Sequence, residues 1–501
     1  MFFRINSSTA IGTHGQKIVV ETTVSNALPN VKIVGLPEKA VDEAKERVLP
    51  AIKNSGFNLI PKHITINLAP SYIPKKGASL DLPIALSILG SYKILNDFFY
   101  DDCLFVGELS LDGKIRRTNG ILQTLDVMEK EHFSKTIIPE ENIKYLPIIK
   151  EYSGEIFVAS SLKQIVEFLL GKNNLIKIQS TTRIQPKNKL SLFRNIRGNS
   201  IIKRIALISA VGNHHFLMCG PPGAGKTMTA KAIQELIPTL SSNKIYETAL
   251  VYEASKSNVP ESLINGVPPF RSPHHTASYA SIIGGGTNPT PGEISLAHNG
   301  VLFLDELPEF NKITLNALRE PIEEREVSIT RSNYKITFPC NFTLIASMNP
   351  CACGYFGSSE KQCTCSSYQV QKYSSRVSRI LIDRIDLYAY VSKPKIKDLT
   401  DNKNDNTDYL RIINNALCFE MERFNNPESR NSEIKINDIK EKCNMSLKAQ
   451  KLIQQAYDKL PLTARSYLKT IRVARTIADI DQSPPIKESH IAEALSYRYI
   501  E

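Results

Sequence analysis

The chain has 501 residues, enough for several domains with cores of their own, and its Lys and Arg outnumber its Asp and Glu by 62 to 50. No stretch approaches the roughly eighteen uninterrupted apolar residues of a membrane span, and Met1-Phe-Phe-Arg-Ile-Asn6 is not a basic region followed by an apolar run, so neither a span nor a signal peptide is expected. Nine irregularly spaced cysteines do not read as a secreted disulfide framework, which leaves a cytoplasmic protein as the expectation.

Residues 1 to about 170 alternate strand and helix patterns. Period-two apolar residues predict strands at Gln16–Val24, His63–Leu68 and Lys135–Pro139. Helical spacing predicts helices at Pro37–Ser55, Asp81–Leu95 and Ile121–Glu131, and Leu104 to Gly113 reads as a strand entering a hairpin. This alternation implies an α/β or α+β domain. Three segments, Pro74-Lys-Lys-Gly-Ala-Ser79, Phe105 to Lys114 and Thr136-Ile-Ile-Pro-Glu-Glu-Asn142, resemble the proteolytic domain of Lon proteases. The resemblance puts Ser79 at that family's nucleophile but Leu122 at its lysine. A serine hydroxyl needs an adjacent base, so the resemblance implies a scaffold or a DNA-contacting collar rather than a protease.

Residues 171–195 are polar and basic and read as an exposed linker. Between Glu167 and Glu235 there is no acidic residue but there are eleven Lys and Arg. Some face the phosphate motif described next; the others suit a polyanion, most simply nucleic acid, or else a solvated linker.

Residues 196–395 read as an ATPase core. The apolar run Phe216–Cys219 leads into Gly220-Pro221-Pro222-Gly223-Ala224-Gly225-Lys226-Thr227, and a helical pattern follows from Met228 to Ile237. Strand, glycine loop and helix start is the setting of a phosphate-binding loop, with backbone N–H groups turned toward the anion. Lys226 is expected to reach the β- and γ-phosphates of ATP and Thr227 to hold Mg²⁺. Val301-Leu-Phe-Leu-Asp305-Glu306 adds a second metal partner, Asp305, and a base for the attacking water, Glu306. Leu344-Ile-Ala-Ser-Met-Asn349 is a third apolar strand, ending in an amide placed to orient that water.

Further motifs resemble AAA+ ring ATPases. Leu381-Ile-Asp-Arg384-Ile-Asp386 resembles the segment that presents an arginine to a neighbouring subunit, with Arg376 as the competing candidate, and Leu462-Thr-Ala-Arg465 resembles the second sensor. The long gap between Thr227 and Asp305, and the hairpin pattern Glu326–Arg331, Ser332-Asn333, Tyr334–Phe338, resemble the insertions of the magnesium-chelatase-like, helix-two-insert branch, which includes the MCM helicases. In that branch the insertions point into the ring's pore, so the resemblance makes Arg331 and Lys335 the expected DNA-phosphate contacts. His274 and His275 read as loop residues rather than metal ligands. Cys351-x-Cys353 and Cys363-x-Cys365 could hold a structural Zn²⁺, stay as reduced thiols or form a disulfide.

Lys397 to Asn406 reads as a hinge, and helical patterns at 407–423, 434–442, 447–459, 464–480 and 487–498 predict an all-α lid over 396–501. Taken whole, the chain resembles the ComM/YifB-type magnesium-chelatase-like AAA+ family, departing from its pattern at Ser378-Arg379-Ile380. The resemblance implies a homo-hexameric, ATP-driven motor on branched or double-stranded DNA, promoting branch migration as incoming DNA is integrated in natural transformation. The alternatives are a chelatase-type motor driving metal insertion through a partner, and a nucleotide-dependent scaffold.

Overall fold

The computed structural model describes residues 2–37, 39–75, 77–96, 100–145, 152–178, 190–286, 288–331, 334–358, 361–394, 397, 407–460 and 462–498. The chain divides into two compact units that do not follow chain order. The first comprises Met1–Gln185 with Ser241–Gly266 and Ser332–Phe338; the second holds Pro186–Leu240, Val267–Arg331 and Pro339–Glu501.

The first unit is built on a mixed eight-stranded sheet. From one edge its strands are Ile176–Ile178, Glu155–Ala159, Lys135–Pro139, Cys103–Phe105, Phe2–Ile11, His14–Ser25, His63–Ala69 and Asn30–Val34. Phe2–Ile11 and His14–Ser25 pair antiparallel from Phe2 opposite Thr23 to Ile11 opposite His14. Gly12 closes this hairpin at φ +61°, where a Cβ would stand 2.6 Å from the Ile336 side chain. Ile5, Ile18, Val20, Ile66 and Leu68 form the core beneath the sheet. The helix Asp81–Ser91 lies in that core with every residue buried, as a helix apolar all round must. It ends short of the expected Leu95, where Lys93 turns left-handed at φ +60°. The helix expected from Pro37 to Ser55 is broken into Lys39–Asp42 and Ala44–Asn54. At the junction the Glu46 N–H bonds Glu43 O at 3.0 Å, one residue short of the α-helical ladder.

Two features were not legible in the sequence. Ile176–Ile178, inside the expected linker, adds an antiparallel edge strand to Glu155–Ala159. The helix Ser242–Ala254, although it follows the phosphate loop in sequence, belongs to the first unit and bonds the helix Ile121–Lys130 there. Its Glu253 accepts the Leu122 N–H at 3.0 Å, and its Tyr246 hydroxyl donates to Asp126 at 2.5 Å. Leu122, the residue that the resemblance to Lon proteases set at the lysine position, is fully buried hydrocarbon. Lys75 is also fully buried, with its ammonium bonded to the Gly35 and Pro70 carbonyls.

The second unit carries a five-stranded sheet in the order Phe270–Arg271, Val301–Leu304, Thr343–Met348, Phe216–Cys219, Leu387–Tyr390. All four pairings are parallel. The middle three strands are buried at every residue, which explains why they read as continuous apolar runs rather than alternations. The hairpin strands Glu326–Arg331 and Tyr334–Pro339 form a separate two-stranded sheet.

The C-terminal helices Tyr409–Phe424, Leu447–Lys459, Ala464–Ile480 and Glu488–Ser496 share one apolar core with the parallel sheet, Ile471 and Ile477 joining Phe216, Phe303 and Ile345. The helix expected at 434–442 is instead the turns Asn431–Glu433 and Ile436–Asp438 and a short helix, Ile439–Lys442. The expected hinge at 397–406 lies outside the described residues apart from Lys397. Among the described residues no helix is long and apolar enough to cross a membrane.

Candidate active site

Parallel pairing aligns the carboxyl ends of neighbouring strands, and that edge is where ligands bind in open α/β sheets. Met348 stands opposite Cys219, and Leu304 opposite Ala346. The residues that follow these strands, Gly220–Thr227, Asp305–Glu306 and Asn349, therefore emerge on one edge.

Gly220 must be glycine because a Cβ there would stand 2.2 Å from the Val391 carbonyl oxygen. Gly225 caps the helix Lys226–Leu236 in the left-handed conformation, at φ 86°. A Cβ on Gly223 would meet nothing within 4 Å, so the loop faces open space. Pro221, Pro222 and Ala224 complete its turn.

The Lys226 ammonium donates to Gly220 O at 2.6 Å, Pro221 O at 3.3 Å and Asn349 Oδ1 at 2.9 Å. All three acceptors are uncharged, and burial lowers the lysine's pKa. A phosphate would supply the missing counter-charge. The Thr227 hydroxyl lies 3.4 Å from Asp305 Oδ2, which is the pair expected to hold Mg²⁺, and Ser347 bonds the other Asp305 oxygen. Glu306 takes a left-handed backbone conformation, φ 53° and ψ 49°, which non-glycine residues adopt at some energetic cost and chiefly at functional positions. These residues fit ATP with Mg²⁺.

Two side chains join this group that the sequence did not single out. His275 Nδ1 stands 3.6 Å from Glu306 Oε2, so a histidine expected to be a plain loop residue is at the site. Ser347 is fully buried behind Asp305; its place in the apolar run Leu344–Met348 was the available signal.

Arg384, expected as the arginine offered to a neighbouring subunit, is only 3% exposed in the single chain, with Nη2 at 2.8 Å from Glu323 and Nη1 bonded to Ile380 O at 2.6 Å. Arg465, at the start of the helix Ala464–Ile480, converges on the same Glu323 oxygen at 2.5 Å. The two arginines thus form a cluster around Glu323, distinct from the one around Lys226. Arg376 is the more exposed of the two finger candidates, its side chain 47% accessible and paired with Glu309 at 2.9 Å. Lys335 is exposed on its strand, whereas the Arg331 side chain and the turn Ser332–Asn333 lie outside the described residues.

Behind the sheet edge a buried network fixes the strands. Asp386 accepts the His215 N–H at 3.0 Å and pairs with Lys469 at 3.3 Å, and His215 Nδ1 accepts the Leu344 N–H at 3.0 Å. Burial pushes His215 down to about 4, which keeps the ring neutral and able to accept that bond.

The four cysteines come together. Their sulfurs lie within 4.8 Å of one another, the arrangement that a shared metal site on the two pairs requires.

Residues 20–142, 192–399 and 406–498 match families described respectively as subunit ChlI of Mg-chelatase, magnesium chelatase subunit ChlI, and its C-terminal part. The chain is 37% identical to YifB of Escherichia coli (strain K12) over 498 residues, 99% of this chain and 97% of that protein. It is 36% identical to the competence protein ComM of Haemophilus influenzae over 503 residues, with the same coverage. The chain belongs to the ComM/YifB family of magnesium-chelatase-like proteins. A local match, 26% identical over 159 residues, links this family member to Lon protease 2 of Bacillus subtilis, covering 30% of the chain. The site geometry places this ComM/YifB-type chain among mixed α/β proteins with a parallel sheet and a phosphate loop at its centre.

Proposed function

We propose that this chain is an ATP-driven hexameric ring motor on DNA, promoting branch migration of recombination intermediates as incoming DNA is integrated. The observation that carries the ATPase part is the direct bonding of Lys226 to Asn349 and of Thr227 to Asp305 across three parallel strands. DNA as the track is supported by the excess of 62 basic over 50 acidic residues, the exposed Lys335 on its hairpin strand, and the name of the ComM relative.

In this reading Lys226 exchanges its carbonyl partners for phosphate oxygens. Asn349, released from Lys226, orients the attacking water, and Glu306 takes its proton. Mg²⁺, held by Thr227 and Asp305 when bound, neutralises charge on the phosphate oxygens. Arg384, or Arg376 as the competing candidate, is the arginine offered to a neighbouring protomer, Arg384 leaving Glu323 to act in trans, and Arg465 is the lid arginine that meets the γ-phosphate. The N-terminal unit is a Lon-like domain with Leu122 where the dyad lysine would stand, and the C-terminal helices are the lid.

A labelled four-way junction incubated with protein and ATP tests this. The expected result is strand displacement that needs hydrolysable ATP and is lost in Lys226→Ala. Tight junction binding with ATP turnover but no displacement would overturn it. The matches to ChlI favour a second reading, a motor driving metal insertion through a partner protein; turnover indifferent to DNA but raised by such a partner would select it.

A further inference from the structure

We propose that Cys351, Cys353, Cys363 and Cys365 hold one structural Zn²⁺, and that this ion fastens their loop against the phosphate loop. The sulfur of Cys351 lies 3.3 Å from that of Cys353 and 3.7 Å from that of Cys363, and the latter two are 3.6 Å apart. A disulfide would bring two sulfurs to about 2.05 Å. Four thiolates around one zinc at about 2.3 Å stand about 3.8 Å apart, the edge of a tetrahedron of that radius. The three spacings among Cys351, Cys353 and Cys363 lie near the second arrangement, and the Cys365 sulfur stands within 4.8 Å of all three.

Backbone donors complete the cage. The Phe356 N–H lies 3.3 Å from the Cys351 sulfur and the Cys365 N–H 3.4 Å from that of Cys363, the kind of outer contact that orients thiolate ligands. A soft, four-sulfur tetrahedral set selects zinc among redox-inert ions, and a full complement of protein ligands leaves no open position for catalysis. The ion's role is therefore structural.

Its location gives that role a consequence. Cys351 follows Asn349 by two residues, and Asn349 Oδ1 accepts the Lys226 ammonium. Gly354, inside the cysteine loop at φ +84°, touches the phosphate loop itself: a Cβ there would stand 2.8 Å from Pro222 Cδ. The cysteine loop thus meets Gly220–Thr227 at Pro222 and, through Asn349, at Lys226. Zinc holds both contacts in place.

The test uses full-length protein purified without chelators. Elemental analysis should find about one zinc per chain, and a mercurial titration of the folded wild type should release it into a chromogenic chelator as the thiols react. The double variant Cys353→Ser/Cys363→Ser should lose the metal, with affinity falling at least about tenfold. Gly354→Ala should keep its zinc but bind a fluorescent ATP analogue several-fold more weakly.

Clearly less than half a zinc per chain, iron in its place, or zinc retained by the double variant would overturn the metal site. Gly354→Ala binding the analogue like wild type would overturn the coupling. The coupling rests on the ATP reading of Lys226. If wild type binds no nucleotide, that reading fails, while the zinc count still decides the metal site on its own.

Discussion

The two units use their sheets differently. The eight-stranded sheet mixes parallel and antiparallel pairs, and the polar groups near it are absorbed by the fold: Arg47 grips the buried Asp81 at 2.8 Å, and Lys75 is bonded to carbonyl oxygens. The five-stranded sheet is wholly parallel, and its polar groups collect at one edge, where Lys226, Asp305, Glu306 and Asn349 come together and bond one another or backbone groups. Strand polarity makes the difference. Parallel strands deliver consecutive loops to the same end, whereas an antiparallel partner carries the next loop to the opposite end.

The sharpest way to break this comparison is to change chemistry at the parallel edge without changing the fold. Glu306→Gln should lower kcat for ATP about 10²–10⁴-fold while leaving the melting temperature and nucleotide affinity near wild type. A comparable loss of folding stability would return Glu306 to a structural role.

Next in size is a purely structural network in the same unit. Asp479 is buried between Arg423 at 2.6 Å and Arg475 at 2.9 Å. Asp479→Ala strands both guanidiniums and should cost about 3–5 kcal/mol in denaturant melts.

In the first unit, burial raises Glu253 to about 7 from its ordinary 4.5. Between those values the folded chain holds this proton while the unfolded chain releases it. The group's contribution is therefore most favourable below pH 4.5, weakens as pH rises to 7, and is level above. Glu253→Gln should remove that slope, about 3 kcal/mol across the window, in melts compared with wild type at each pH. If the slope persists, Glu253 is not the group whose buried proton sets it.

The smallest effect concerns His275. As its pair with Glu306 is partly exposed, His275→Ala should lower kcat by less than about fivefold in steady-state ATP turnover. An unchanged kcat would make His275 the plain loop residue its sequence suggested.

The phosphate loop and the buried strands around it were legible because they need local signals only: glycines at fixed spacing, and apolar runs ending in Asp305-Glu306 or Asn349. The helix Ala464–Ile480 was legible in full, its period intact and Thr463 capping its start. What escaped depends on contacts distant in sequence. Ser242–Ala254 carries an ordinary helical pattern, and only Tyr246 and Glu253 meeting Asp126 and Leu122 assign it to the first unit. Arg384 sits in an arginine-finger pattern, but nothing in that pattern announces Glu323, sixty-one residues earlier, as its partner. His275 reads as a loop residue because nothing near it in sequence announces its partner, a carboxylate thirty-one residues further on.

The most direct test of the account is steady-state ATP turnover by the full-length chain at low salt, with and without branched DNA, alongside Lys226→Ala, Arg384→Ala and an equimolar mixture of the two variants. The account predicts that DNA raises wild-type turnover, that each variant alone is inactive, and that mixing restores part of the activity by pairing an intact Lys226 with a neighbour's intact Arg384. Turnover that ignores DNA, or variants that stay inactive when mixed, would contradict a DNA-coupled ring.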